Sequence, residues 1–254
     1  MVPAYFMNTK KLPEQESVRI NRYLAEAGIC ARRAADALIA EGRVTINGAI
    51  AVLGTKVQPG DEVSVDGKPV GRKQKDAYLI LNKPKDCITT ASDERGRRTV
   101  LDLIGYHDRV FPIGRLDRNS TGVLLLTNDG ELAHRLMHPR FNVEKMYLVH
   151  LDKDIPRAVV IRLERGIMLD GERTAPVEIN VNPHDAKELA ITMHEGKNRQ
   201  VRRMFEAMEF EVTKLDRIMY AGLTVKGMKR GEWRKLTNRE VLHLKKLVKL
   251  DTNE

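Results

Sequence analysis

Asp117 stands at the edge of the most apolar stretch of the chain, in GRLDRNSTGVLLLTNDG, which runs from Gly114 to Gly130. A carboxylate in such a place either ends a strand or does chemistry. As a structural residue it closes a strand over Val110–Leu116 and leads the turn Arg118–Gly122, a position that aspartate favours because its side chain can bond the nearby backbone. As a functional residue it is a carboxylate at the end of a buried strand, with Arg115 two positions away on the same side. An arginine within about 4 to 6 Å keeps a partly buried carboxylate ionised, and a nucleophile or general base needs that state. The local pattern leaves both readings open.

A second stretch, GKNRQVRRMFEAM, has a helical period that puts Val201, Met204, Phe205 and Met208 on one face and Arg199, Arg203 and Glu206 on the other. Arg202 falls at the boundary, where an arginine packs its stem on the core and turns its head toward a pocket. Lys197, Arg199, Arg202 and Arg203 lie within seven residues that contain no acid. Such a run is a solvated face or a surface for a polyanion. Arg32 and Arg33 open another helix, where the macrodipole disfavours cations by roughly 0.3 to 1 kcal/mol each unless a phosphate docks at the same end. Tyr147 shares one strand face with Val149 and Leu151, opposite His150, a pattern that suits a core residue as well as a working one. His134 and His138 are spaced to share a metal, but no HExxH pattern or third ligand accompanies them, so a surface pair is expected and no metal site.

The chain also lacks GxxxxGK[ST], GxGxxG after a strand, GxSxG and paired cysteines, so ATP use, a dinucleotide cofactor and structural zinc lose support. Its 254 residues allow two domains, and 42% hydrophobic with 31% charged residues is an ordinary globular composition. Lys and Arg number 44 against 35 acids, for a net charge of +9, which suggests a polyanionic partner with nucleic acid the first candidate. Two isolated cysteines point to a reducing compartment, and neither a signal peptide nor a membrane span is evident, so a cytoplasmic location is expected.

The elements that must position these residues fall into two groups. Residues 1–16 read as a mobile tail. Residues 17–66 carry two helices, the first capped by Ser17 and ended by Gly28, the second over Arg32–Ala40 and stopped by Gly42, followed by short β segments around Asn47-Gly48 and Pro59-Gly60. The stretch 67–76, rich in basic residues with glycine and proline, reads as a linker. From 77 to 254 strand candidates dominate: 78–81, 110–115, 123–127, 145–151, 177–181 and 189–193. Helices are expected from Glu131 to Met137 behind Asp129, over about 198–208, and after the capping box Thr237–Glu240. The class is therefore α+β with a largely antiparallel or mixed sheet.

GRLDRNSTGVLLLTNDG, preceded by LILNKPK and followed by EKMYLV and GKNRQVRRM, closely resembles the pseudouridine synthases of the RsuA/RluB type, from about Arg19 to Leu236. RINRYLAEAGICARRAADALIAEGRVTING is similar to the small RNA-binding domain that these enzymes share with a small-subunit ribosomal protein. The resemblance implies a catalytic domain built on a bent mixed sheet with flanking helices, joined to a small N-terminal α/β RNA-binding domain. It implies Asp117 as the catalytic nucleophile, Tyr147 against the uracil ring and Arg202 paired with the aspartate. Arg115 is then placed to contact RNA around the extracted nucleotide. Arg32, Arg33, Lys197, Arg199, Arg203 and Lys83, from the LILNKPK stretch, are placed with it among the RNA-binding residues. The implied reaction, uridine to pseudouridine in ribosomal RNA, most like the large-subunit enzymes, needs no cofactor and no metal, and a monomer is expected. Attack at C1′, addition to the base and removal of a sugar proton are all compatible with a single carboxylate. Two positions depart from the family pattern: Asp86 stands where glycine is usual after KPK, and Ser120 where threonine is common. If position 86 needs a positive φ, aspartate is among the better substitutes.

Overall fold

The computed structural model describes residues 17–71, 74–90, 93 and 95–250; the tail expected over 1–16 lies outside them. The chain divides into two compact units, Met1–Lys75 and Asp76–Glu254.

The first unit contains β1 (Val18–Arg19), α1 (Ile20–Glu26), α2 (Arg32–Ala40), β2 (Val44–Ile46), β3 (Ala49–Ile50), β4 (Lys56–Val57), β5 (Val63–Val65) and β6 (Lys68–Pro69). The sheet runs β3-β2-β5-β6, β1 pairs with β4, and Ile20, Leu24, Ala35, Ile39, Val44 and Val63 form its core. Ser17 is not the cap of α1. Val18 and Arg19 pair with Val57 and Lys56, which delays the helix to Ile20, and Arg19 occupies the cap position with no side-chain bond. The expected linker also starts too early. Asp66 and Gly67 take φ of 51° and 74°, the left-handed pair of a tight hairpin, so Lys68–Pro69 returns along Ser64–Val65 as β6. The Arg43 guanidinium donates to both carboxylate oxygens of Asp66 at 2.8 and 2.6 Å, and Gln74 N donates to the carbonyl of Glu26.

The second unit opens with β7 (Tyr78–Lys83), α3 (Val100–Ile104), β8 (Phe111–Ile113), β9 (Thr121–Thr127) and α4 (Gly130–Met137). It continues through β10 (Lys145–Leu151), α5 (Arg157–Glu164), the hairpin β11 (Met168–Leu169) and β12 (Glu172–Arg173), β13 (Glu178–Asn182) and β14 (Asp185–Met193). It ends with α6 (Gln200–Glu206), β15 (Val212–Tyr220), β16 (Leu223–Thr224), β17 (Trp233–Lys235) and α7 (Asn238–Leu247). The main sheet has the order β13-β14-β10-β15-β9-β7-β17, with β8 beside β9 and β16 beside β15. Every pairing is antiparallel except β9 with β15. The α+β class with a mixed sheet, read from the sequence, is the observed class.

The apolar run VLLL is explained by its two-sided burial. Leu124 and Leu126 pack with Leu79, Leu81, Val149 and Ile191, under α5 and α6. Val123 and Leu125 pack on the other face with Ile80, Tyr220, Leu136 and Leu244, under α4 and α7. A strand covered on both faces has no polar side to alternate with. The expected helix starts at Asp129 and Thr237 are present: Asp129 accepts from the N–H groups of Glu131 and Leu132, and Thr237 and Glu240 form the capping box. A second box at Thr99 and Asp102 starts α3.

The parallel junction between β9 and β15 is short, with only Thr121 opposite Asp216 and Gly122 opposite Arg217. Gly122 has φ of 103°, and a Cβ there would lie 2.2 Å from the Arg217 carbonyl oxygen and 2.6 Å from Asp216 Oδ1. Only glycine lets the two strands approach this closely. Beyond the junction Arg217 Nε donates to the Val123 carbonyl at 2.7 Å, so a side chain takes over where the backbone ladder stops.

Candidate active site

The strand expected over 110–115 ends at Ile113, because Gly114 turns the chain with φ of 72°. Arg115 and Asp117 therefore belong to a loop rather than a strand end. Leu116 anchors that loop in the core, and Ser120 N donates to the Asp117 carbonyl at 3.1 Å, so Asp117 does lead a tight turn. The structural role weighed for it is real and leaves its side chain free for another.

What holds the turn is Lys83. Its side chain is fully buried, and Nζ donates to the carbonyls of Pro84, Asp117, Arg118 and Ser120 at 3.1, 3.0, 3.2 and 2.9 Å. Lys83 is therefore not an RNA contact. Four carbonyl dipoles converge on one ammonium, which fixes the turn below the aspartate, while burial pushes the ammonium pKa down to about 8. Thr121 Oγ1 donates to Asp216 Oδ1 at 2.7 Å, and Asp216 also accepts from Arg230 at 2.6 Å, so the start of β9 is secured from a second direction.

The Asp117 carboxylate is 37% exposed, and two guanidinium groups face it: Arg199 Nη1 at 3.7 Å and Arg202 Nε at 3.9 Å from the same oxygen. Arg202 is largely buried and anchored by Nη1 donating to the Val212 carbonyl at 2.5 Å, as expected of a boundary residue on α6. Arg199, expected among the RNA-binding residues, also reaches the carboxylate. It occupies the N-cap of α6 with φ of 48°, a left-handed conformation that a non-glycine residue adopts only when its surroundings enforce it.

Tyr147, 8% exposed, lies on β10 opposite Ile191 and Arg217. Gly122, Arg217 and Tyr147 thus follow one another across β9, β15 and β10, directly beyond the Asp117 turn. Arg217 is not singled out by any sequence motif. It is 3% exposed, its guanidinium carbon is 4.9 Å from the Tyr220 ring centre and 6.0 Å from that of Tyr147, and Nη2 is buried with no hydrogen-bond partner among the described residues. Its only signal in the sequence is one arginine in the otherwise apolar end of VTKLDRIMY.

The remaining expected residues are dispersed. Arg115 is exposed next to Gly114, whose N–H donates to Met137 Sδ at 3.0 Å. Lys197 and Arg203 already have acidic partners on the β11–β12 hairpin: Lys197 pairs with Glu172 at 2.6 Å and Arg203 with Asp170. Exposed pairs of this kind contribute roughly 0 to 1 kcal/mol, so a phosphate can replace the acid. Arg32 and Arg33 belong to the first unit, exposed at the start of α2, where Ala31 provides no side-chain cap. The His134 and His138 rings meet edge-on with centres 5.4 Å apart, and among the described residues no group of three side chains that could hold a metal ion exists. Asp86 does take the left-handed conformation, with φ of 55°, and its carboxylate pairs with Arg118 of the same turn at 3.0 Å. Ser120 Oγ is buried and has no hydrogen-bond partner among the described residues.

Comparison with known proteins adds identity to this geometry. Residues 77–207 match the RNA pseudouridylate synthase family, and residues 18–63 match the S4 domain. The chain is 43% identical over 236 residues to Ribosomal large subunit pseudouridine synthase B of Bacillus subtilis, covering 91% of this chain and 96% of that one. It is 39% identical over 245 residues to Dual-specificity RNA pseudouridine synthase RluF of Escherichia coli, covering 96% and 83% of the two chains. A crystal structure of a pseudouridylate synthase aligns with a TM-score of 0.66 at 30% identity, covering 90% of this chain and all of the other. A carboxylate flanked by two arginines on a lysine-anchored turn, in a chain that matches these enzymes nearly end to end, places the protein in the RNA pseudouridylate synthase family, with an S4 domain at its N-terminus.

Proposed function

We propose that this protein isomerises uridine to pseudouridine in large-subunit ribosomal RNA, acting as a monomer with Asp117 as its nucleophile. The observation that carries the reading is the Asp117 carboxylate, open to solvent on one side and faced by Arg199 and Arg202 on the other. The similarity to a large-subunit synthase over 91% of the chain supports the substrate.

The reaction breaks the bond between N1 of uracil and C1′ of the ribose, turns the base, joins C5 to C1′, and moves one proton from C5 to N1. No electrons are exchanged with an outside partner. The target must first leave its stack, at a cost of about a few kcal/mol, and exposed Arg115 is the side chain beside the turn that replaces the departed base. Asp117 then attacks, with the guanidinium pair facing its carboxylate. Tyr147 presents its ring to the uracil, and the Arg217 guanidinium behind it fixes the ring's position. Arg32 and Arg33 of the S4 domain, with Lys197 and Arg203 after exchange of their acidic partners, hold phosphates.

Replacing Asp117 with Asn tests the catalytic assignment. With ribosomal RNA carrying 5-tritiated uridine, tritium release is expected to disappear while the RNA dissociation constant stays within about twofold of wild type. Tritium release persisting in the variant would remove Asp117 from the chemistry.

A further inference from the structure

We infer that the end of α4 and the turn after it, residues 134–142, form a second RNA surface that stacks an unpaired base of the strand flanking the target uridine. It rests on the reading of the protein as an enzyme acting on RNA and adds a contact that the catalytic turn does not supply.

Pro139–Phe141 form a single 3-10 turn, closed by Asn142 with φ of 46°. The turn lays the Arg140 guanidinium over the Phe141 ring, 4.5 Å from its centre, and the His138 ring meets the same ring edge-on at 6.3 Å. Phe141 is half-buried, packed against the core beneath α4, so the platform is fixed from below, whereas Arg140 and His138 are exposed. A guanidinium seated over an aromatic ring offers its outer side to a nucleobase, and every base has a π-face to match. The backbone N–H of Arg140 donates to His138 Nδ1 at 3.2 Å. With Nδ1 accepting, Nε2 is the ring nitrogen left to donate to a phosphate or a base edge. Residues 132–143 contain no acid, and Arg135, Arg140 and two histidines lie among them.

The surface is continuous with both arms of the catalytic site. On one side Met137 Sδ accepts from Gly114 N, next to Arg115. On the other, His194 Nδ1 bonds the Asn142 carbonyl at 2.9 Å, and Lys145 Nζ donates to the His194 carbonyl at 2.9 Å, at the start of the segment that carries Lys197 and Arg199. A strand whose target nucleotide is everted at Asp117 is thereby led over Arg140. An exposed arginine over an aromatic ring, in a run that carries cations and no acid over 132–143, favours RNA over a protein partner.

The test uses the full-length protein with Arg140→Gln and Phe141→Leu, alone and together. The probes are fluorescent oligouridine, a duplex RNA of equal length and tritiated ribosomal RNA. Each single variant is expected to weaken oligouridine binding about tenfold, and the double variant little more than either, because guanidinium and ring form one platform. Duplex affinity should change about twofold, and the single-turnover rate at saturating RNA should stay at the wild-type value. Oligouridine affinity unchanged in Arg140→Gln overturns the inference, as do equal losses on duplex and single strand, or a loss seen only on intact ribosomal particles, which would indicate a protein partner. Arg140 is exposed, so that variant folds even if Phe141→Leu does not. Wild-type protein that binds oligouridine through this surface but releases no tritium would overturn the proposed enzymatic function and leave this contact standing.

Discussion

At the residue scale, the site separates side chains that face the reaction from side chains that fix them. Arg202 faces the carboxylate and is tied to Val212. Removing a preorganised cation of this kind lowers turnover about 100-fold or more while binding changes little, so Arg202→Ala should reduce the single-turnover rate far more than RNA affinity. Equal losses would place Arg202 on the phosphate backbone instead. Lys83 acts through the turn, and its titration gives a distinct signature. Its folded pKa of about 8 lies below the ordinary lysine value of 10.5. Between those two values the unfolded chain carries a proton that the folded chain has lost, so stability from this group rises with pH across that window. Lys145, also near 8 through burial, adds a slope of the same sign. The denaturation midpoint of wild type relative to Lys83→Met is therefore expected to widen from pH 8 toward pH 10.5. Turnover of the variant should fall as well, since four carbonyls lose their donor.

At the scale of elements, the decisive feature is a two-residue parallel junction inside an otherwise antiparallel sheet. It aligns the turn that carries Asp117 with the strand that carries Arg217, and through β10 with Tyr147. Gly122 makes it possible, and Gly122→Ala would set a methyl group against the backbone of Arg217 at a positive φ. A clash with backbone at a buried strand pairing belongs among the severe mutational mechanisms, and a loss of about 3 kcal/mol or more in chemical denaturation is expected. A change below about 1 kcal/mol would show that the strands can part without penalty. The glycine was visible in GRLDRNSTG, but its partner strand begins about ninety residues later. No local pattern could say what it approaches.

At the scale of the whole molecule, the basic chain folds as two units, and the S4 match falls in the first of them. Removing residues 1–75 leaves the second unit with both faces of its sheet covered. The truncated protein should bind ribosomal RNA more weakly, with a flatter dependence of log affinity on log salt, because each phosphate contact contributes a slope of about 0.9 on duplex RNA by analogy with DNA. Unchanged affinity would assign recognition to the second unit alone. By itself the sequence determined the α+β class, the helix starts at Asp129 and Thr237, the apolar strand over VLLL and the charge that calls for a polyanion. These depend on periodicity, capping chemistry and short motifs, which act over a few residues. It placed 67–70 in a linker although Asp66-Gly67 is a local hairpin signal, and Ser17 as a cap because the pairing of Val18 and Arg19 with β4 is a contact between distant segments. It put Lys83 among RNA ligands for the same reason: a lysine at a strand end looks like surface until the turn 117–120 folds over it. Only the tertiary structure decided that Lys83 is buried, that Arg199 joins Arg202 at the carboxylate, that Lys197 and Arg203 already have acidic partners, and that Arg217 backs Tyr147. Each of these depends on which strands become neighbours, and that is fixed by packing of the whole sheet rather than by any stretch of chain.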